Sequence, residues 1–231
     1  MKLYLLIITL AFSLLAKEID PAPFKSVPML APSHINVTSA YDHGTLYELQ
    51  LEVKTSQGPQ RTTAFVTKDK KVVLFGEAVN AATGETIKRP LDMASIRKNA
   101  DLVYGTGKEE LIVFTDPECS YCVKFERMWP SLEKKVKLYV YFMPLSNHRN
   151  AVSMSFHIMK QQGQKAKAEA LLQMAGGDRS FEKLSMNSEM HELFAQKIEQ
   201  NRDLAEEFGV RGTPSVFNTK GENVAWNSLG K

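Results

Sequence analysis

Cys119 and Cys122 are the only two cysteines in the 231-residue chain, and they stand three positions apart. That count excludes a disulfide-stapled scaffold and a four-cysteine zinc site, leaving one Cys-x-x-Cys pair to explain. The pair lies in Phe114-Thr115-Asp116-Pro117-Glu118-Cys119-Ser120-Tyr121-Cys122, where a strand leads through a short loop and Cys119 opens a helix. Thiol chemistry favours that placement. The thiolate is the nucleophile, and a free thiol with a pKa of ~8.5 is mostly protonated at neutral pH. A helix N-terminus carries about half a positive charge and unpaired N–H groups, both of which favour the anion. Cys119 is therefore expected to be the exposed, low-pKa nucleophile. Cys122, one turn on, is expected to be more buried and able to reach back to the first sulfur. Attack on a disulfide gives a mixed disulfide, which Cys122 or the substrate's own thiol resolves. Asp116 and Glu118 oppose thiolate formation, so the expected pKa depression is moderate.

Three other chemistries compete for the same pair. Half a zinc site needs two more ligands, and His34, His43, His148, His157 and His191 show no paired spacing. A purely structural disulfide across so short a loop constrains the unfolded chain little. A Cys–His hydrolase leaves the second cysteine idle. No metal and no cofactor are expected.

The elements that position the pair follow from the apolar pattern. Residues 111–114 form a four-residue apolar run, read as a buried strand. The helix after Cys119 carries a stripe of Phe125, Met128, Trp129 and Leu132, and Pro130 is expected to kink it or end it early. Residues 137–143 read as a second strand. Residues 148–208 are mostly helical by period, broken at Gly163 and Gly176-Gly177. Their methionines (Met154, Met159, Met174, Met186 and Met190) read as core fillers rather than soft-metal ligands. A helix ending in Leu204 and Phe208 stops at Gly209. Residues 215–217 and 224–226 are candidate strands around a Lys220-Gly221 turn.

Upstream, Pro90 suits a helix start, and Met93, Ile96, Ala100 and Val103 make one apolar stripe over residues 90–104. Gly107-Lys108 has the look of a phosphate loop, but Glu109 stands where Ser or Thr is needed, so that reading is rejected. Residues 20–40 are rich in Pro and Ser and show no clear period. Tyr47, Leu49, Leu51 and Val53 then alternate with Glu48, Gln50 and Glu52, the period of a half-buried strand. Residues 56–59 form a turn, residues 62–67 are rich in β-formers, residues 68–71 form a polar turn, and residues 72–75 form another strand. A small antiparallel β module over about residues 20–85 follows. It buries too little apolar surface for much stability alone, so pairing with another copy is one way to gain burial.

The net charge of +3 argues against a dedicated nucleic-acid binder. The 43% hydrophobic content is ordinary for a globular chain. At the N-terminus, Lys2 precedes an apolar run over residues 3–15, and Ala16 gives way to Lys17-Glu18. This reads as a secretory signal over residues 1–16, cleaved after Ala16 or Ser13; an uncleaved anchor is the alternative. Export implies an oxidising compartment.

A second segment, Leu204 through Phe217 with Gly212-Thr213-Pro214-Ser215 at its centre, resembles the cis-proline segment of thioredoxin-fold proteins. An ordinary trans proline starting a strand is the plainer reading. The Val113-Phe114-Thr115-Asp116 lead-in, Tyr121 inside the pair and Thr213 before Pro214 are similar to the periplasmic disulfide isomerases of the DsbC/DsbG family. So is Lys71-Val72-Val73-Leu74-Phe75-Gly76 with the helix that follows it. The resemblance implies an α/β (α+β overall) architecture. A β dimerisation domain at residues 17–88 and a linker helix at 89–104 would precede a thioredoxin-like catalytic domain at 105–231, with a helical insertion at about 148–208. It implies a V-shaped homodimer with chaperone-like binding of misfolded or misoxidised exported proteins, and a DsbD-type inner-membrane reductant. Cys119 and Cys122 would then be catalytic, and Thr213, Pro214 and Tyr121 would bind substrate. Ser120 stands where the isomerases typically carry Gly, a position that tunes redox poise. The alternatives are a thiol oxidase of the same architecture recharged by a DsbB-type partner, and a non-catalytic holdase. The fold normally adds a C-terminal helix beyond a segment like residues 224–226, so either the sheet face there finds other cover or the domain is incomplete.

Overall fold

The computed structural model describes residues 16–56, 58–84, 86–87 and 89–230. The expected leader lies, apart from Ala16, outside the described residues. The chain divides after Pro90 into two compact units. Among the described residues no helix is long and apolar enough to cross a membrane.

The first unit is one antiparallel sheet of five strands in chain order: β1 (Lys17–Ile19), β2 (Ile35–Asp42), β3 (Leu46–Thr55), β4 (Gly58–Thr67) and β5 (Val73–Phe75). The alternation read in β3 sends Tyr47, Leu49 and Leu51 to one face, where they pack with Val37, Ala40, Ala64 and Val66. Two 3₁₀ turns, Ala22–Ser26 and Pro28–Leu30, drop Phe24, Val27 and Leu30 onto that face. The sequence pattern concealed β2 because the strand is bulged. Val37 pairs with Leu51 and Ser39 with Gln50, leaving Thr38 as the extra residue. Val37 and Ala40 therefore face the core three positions apart, which breaks the period of two.

The second unit begins with α1 (Met93–Asn99), N-capped by Asp92, whose Oδ1 accepts from the Ser95 N–H at 3.0 Å. The strands β6 (Leu102–Tyr104), β7 (Glu109–Thr115), β8 (Val136–Phe142) and β9 (Ser215–Asn218) form a sheet in the order β6-β8-β7-β9. β7 and β8 are parallel, and β6 and β9 run antiparallel to their neighbours. Between β7 and β8 lie α2 (Ser120–Glu126) and α3 (Trp129–Leu132). Between β8 and β9 lie α4 (Ala151–Met159), α5 (Gly163–Ala175) and α6 (Ser188–Glu207). Leu111 and Val113 of β7 face a cluster with Phe125, Trp129, Leu132 and the buried Met154, Met159 and Met174. Ile112 and Phe114 face the opposite cluster, with Ile96, Ala205, Phe208 and Phe217. A strand covered on both faces is continuously apolar, which is why residues 111–114 show no alternation.

Two expectations are corrected. The helix anticipated over residues 89–104 ends at Asn99, and Val103 lies in β6, paired with Tyr139. Leu102-Val103-Tyr104 also suits a short strand, and pairing with β8 overrides the helical period. Residues 224–226 form no strand. Val224 donates to the Val216 carbonyl at 2.8 Å, and the chain then turns into a 3₁₀ helix, Trp226–Ser228. Trp226 packs on Phe125 with ring centroids 5.8 Å apart, and Val224 and Leu229 pack on the same cluster. The helix after Cys119 ends at Glu126, and Pro130 occupies the first turn of α3, where its missing N–H costs nothing. Gly107 serves close packing: a Cβ there would lie 2.0 Å from the Lys135 carbonyl carbon.

A buried polar knot ties the helical insertion to the sheet. Asp101 Oδ2 accepts from the Phe142 N–H at 2.8 Å and from Asn201 Nδ2 at 2.6 Å. Asn201 Nδ2 also donates to the Phe142 carbonyl at 2.9 Å. Burial pushes the Asp101 carboxyl up, and Lys197 at 3.6 Å pulls it back. Asn201→Ala strips Asp101 of its side-chain amide donor. It should lower the unfolding free energy by about 1–3 kcal/mol, read as a lower denaturant midpoint at unchanged slope.

Candidate functional site

β7 delivers Thr115 and Asp116 to the carboxyl end of the sheet, and the loop that follows places Cys119 at the N-cap of α2. Cys119 accepts the Val123 N–H at its carbonyl, the first bond of the helix. Both cysteines are free thiols in this structure. The Sγ of Cys119 lies 3.4 Å from the Thr213 carbonyl oxygen, and the Thr213–Pro214 peptide bond is cis. Cys119, Thr213 and Pro214, separated by more than ninety positions in sequence, thus meet at one point. Tyr121, by contrast, projects outward, 60% exposed, with Lys124 Nζ 5.1 Å from its ring centroid. It borders the pair without covering it.

The expected exposure of Cys119 is corrected: the residue is only 7% exposed, because the Thr213 carbonyl lies against its sulfur. Cys122 is fully buried, and its Sγ accepts the Asp116 N–H at 3.4 Å. Burial pushes the Cys122 thiol well above the usual range. The Asp116 N–H offsets part of that rise, and the nearby Glu126 adds to it.

Asp116 and Glu118 do more than oppose a thiolate. Asp116 is fully buried: its Oδ1 accepts the Glu118 N–H at 2.8 Å, and its Oδ2 accepts the Leu145 N–H at 2.7 Å and His148 Nδ1 at 2.8 Å. Glu118 accepts the Asn150 N–H at 2.6 Å and Asn150 Nδ2 at 3.0 Å, at the start of α4. The two carboxylates fasten the loop between β8 and α4 to the thiol loop.

Sequence reasoning missed Glu126 and His148. Glu126 is fully buried beneath α2, its Oε1 accepting the Thr115 hydroxyl at 2.8 Å and its Oε2 without a partner. Its signal was legible: Cys122, Phe125, Glu126 and Trp129 share one helical face, so an acid stands on an apolar stripe. His148 had no local signal; only the register of β8 brings it to Asp116. Among the described residues no group of three or more His, Cys, Asp or Glu side chains could hold a metal ion.

The chain belongs to the thioredoxin-like domain family, whose model matches residues 96–228. No curated protein matches the chain significantly. Among solved structures it is similar in fold to a disulfide interchange protein from Neisseria gonorrhoeae, at 22% identity and a TM-score of 0.44, covering 55% of this chain and 85% of that one. It is also similar to Proteus mirabilis ScsC in a compact conformation (16% identity, TM-score 0.46, 62% of this chain and 78% of that one). A third likeness is to Helicobacter pylori DsbG (13% identity, TM-score 0.41, 80% of this chain and 93% of that one).

Burial pushes the Glu126 carboxyl up to about 8, and the Asp116 charge adds to the rise. Its folded-state value thus lies above its unfolded one. As pH climbs from the ordinary carboxylate range toward about 8, the unfolded chain ionises while the folded one stays protonated. Stability falls through that window and levels off above it. Glu126→Gln cannot ionise, so its melting temperature should decline less than the wild type's between about pH 5 and about pH 8.

Proposed function

We propose that the protein is a periplasmic thiol:disulfide interchange protein that isomerises or reduces wrong disulfides in exported proteins. The observation that carries this reading is the Cys119 sulfur at a helix N-cap, 3.4 Å from the Thr213 carbonyl, with Cys122 buried one turn deeper. The Cys119 thiolate attacks a substrate disulfide, forming a mixed disulfide and releasing one substrate thiolate. That thiolate attacks another disulfide of the substrate, and the thiolate so freed attacks the substrate sulfur of the mixed disulfide, which rearranges the disulfides with no net redox change and releases the Cys119 thiolate. Alternatively Cys122 loses its proton and attacks Cys119 Sγ. The substrate then leaves reduced by two electrons, and the Cys119–Cys122 disulfide is returned to thiols by a DsbD-type partner.

The buried, high-pKa Cys122 supports isomerisation over an oxidase role. A thiol that is reluctant to ionise resolves slowly and leaves time for the substrate's own thiols to act. Thr213 and Pro214 line the sulfur, and the exposed Tyr121 ring offers apolar contact to an unfolded chain. Alkylation of intact cells should find the pair largely reduced, and Cys122→Ala should accumulate mixed disulfides on non-reducing gels. A fully oxidised pool would overturn the isomerase reading in favour of an oxidase with a DsbB-type partner. A Cys119→Ala variant that still rescued scrambled substrate would overturn both.

Homodimerisation through the first unit belongs to the same reading. Val72, Leu74, Phe75 and Val79 are each about half exposed, on or beside the edge strand β5. Light scattering should give a dimer for the mature protein, and Phe75→Lys should weaken it while leaving exchange with small thiols intact. A monomer at micromolar concentration would remove this role from the β module.

A further inference from the structure

Asp116 is the residue on which the thiol pair hangs. Its main-chain N–H reaches Cys122 Sγ at 3.4 Å, and its carbonyl accepts the Cys119 N–H at 3.0 Å. The same residue carries a fully buried carboxylate, which is costly unless donors surround it. Two of its three donors, Glu118 N–H and Leu145 N–H, belong to the backbone. The third is His148 Nδ1, at 2.8 Å. A carboxylate only accepts, so Nδ1 carries the proton. Among the described residues no other basic side chain bonds to Asp116.

We propose that His148 is a positioning residue for the thiol pair, acting through Asp116. The proposal rests on the thiol–disulfide reading above. His148 holds Asp116 Oδ2, which fixes the Asp116 side chain and backbone, and the two peptides flanking that residue carry the bonds to the two cysteines. The Asp116 N–H bond to Cys122 Sγ is made to a sulfur in the thiol state, so it favours the reduced pair. Without the imidazole, Asp116 is free to turn toward its two remaining donors and the bond to sulfur weakens. The neighbouring Glu118–Asn150 fastening keeps the loop in place, so the effect is confined to the sulfurs.

The test uses the full chain with His148→Ala and His148→Asn, the latter keeping an N–H donor where Nδ1 stands. The readout is the equilibrium between the dithiol and the Cys119–Cys122 disulfide against reduced and oxidised glutathione. His148→Ala should shift that equilibrium toward the disulfide by about three- to tenfold, the worth of one hydrogen bond. His148→Asn should restore most of it. If His148→Ala does not fold, His148→Phe replaces it, filling the space without a donor. An alanine variant with the wild-type equilibrium constant, or an asparagine variant no better than alanine, would overturn the proposal. Glutathione is not a protein substrate, so a wild type inert toward scrambled proteins overturns the proposed function and leaves this result standing. A wild type that fails to equilibrate with glutathione overturns both.

Discussion

The two ladders of β7 are the constraint on which the site depends. On one side β7 runs antiparallel to β9, with Phe114 opposite Ser215. Thr213-Pro214 lead directly into β9, so that register brings them to the end of the sheet where β7 delivers Thr115 and Asp116. On the other side β7 runs parallel to β8, with Thr115 opposite Phe142. The chain leaving β8 therefore passes the same end of the sheet and brings Leu145 and His148 to Asp116. A slip of one residue in either ladder would turn every apolar side chain of β7 to the wrong face, and β7 is buried on both. Core packing thus enforces the geometry around the sulfurs.

Beneath those sulfurs the interior is acidic. Cys122, Glu126 and Asp116 are all fully buried; Asp116 raises the cost of ionising Glu126, and Glu126 that of ionising Cys122. A protein under selection for stability alone would replace Glu126 with an apolar residue of similar volume. Next to a thiol, a buried acid bears on the control of charge. Near neutral pH Glu126 stays largely protonated and adds little field, while Asp116 bonds to a histidine and two backbone donors. The region can then accept one more negative charge, on a sulfur, at the moment of exchange.

The thiol pair, the Thr213-Pro214 loop, the central strands and the α/β plan were legible in the sequence because each carries a local mark: a spacing, a dipeptide or an apolar run. What was not legible has particular causes. Thr38, the bulge residue, hides the period of β2. Leu102 to Tyr104 suit helix and strand alike, and only pairing with Leu138 to Val140 decides between them. The low exposure of Cys119 depends on a carbonyl 94 residues away. His148 acquires its meaning from a parallel register, and such long-range partners leave no trace in single-sequence spacing.

The treatment of sheet edges separates the two units. In the second, β6 is three residues long, and its Val103 N–H is taken by Gln164 Oε1 at 2.7 Å. The free side of β9 is met by the Asn218 N–H to Glu222 bond at 3.0 Å and the Val224 N–H to Val216 bond at 2.8 Å. In the first, β1 is short and begins with the charged Lys17 and Glu18. Each of these edges follows a known way of preventing strand addition. β5 is equally short, three residues, but it carries neither a charge nor a covering bond and is apolar, exposed and at the end of its sheet. An edge left in that state is a liability unless something pairs with it, and the second unit, with both edges closed, offers no comparable strand. Of the two units, the β module is therefore the one whose sheet presents an apolar edge for pairing.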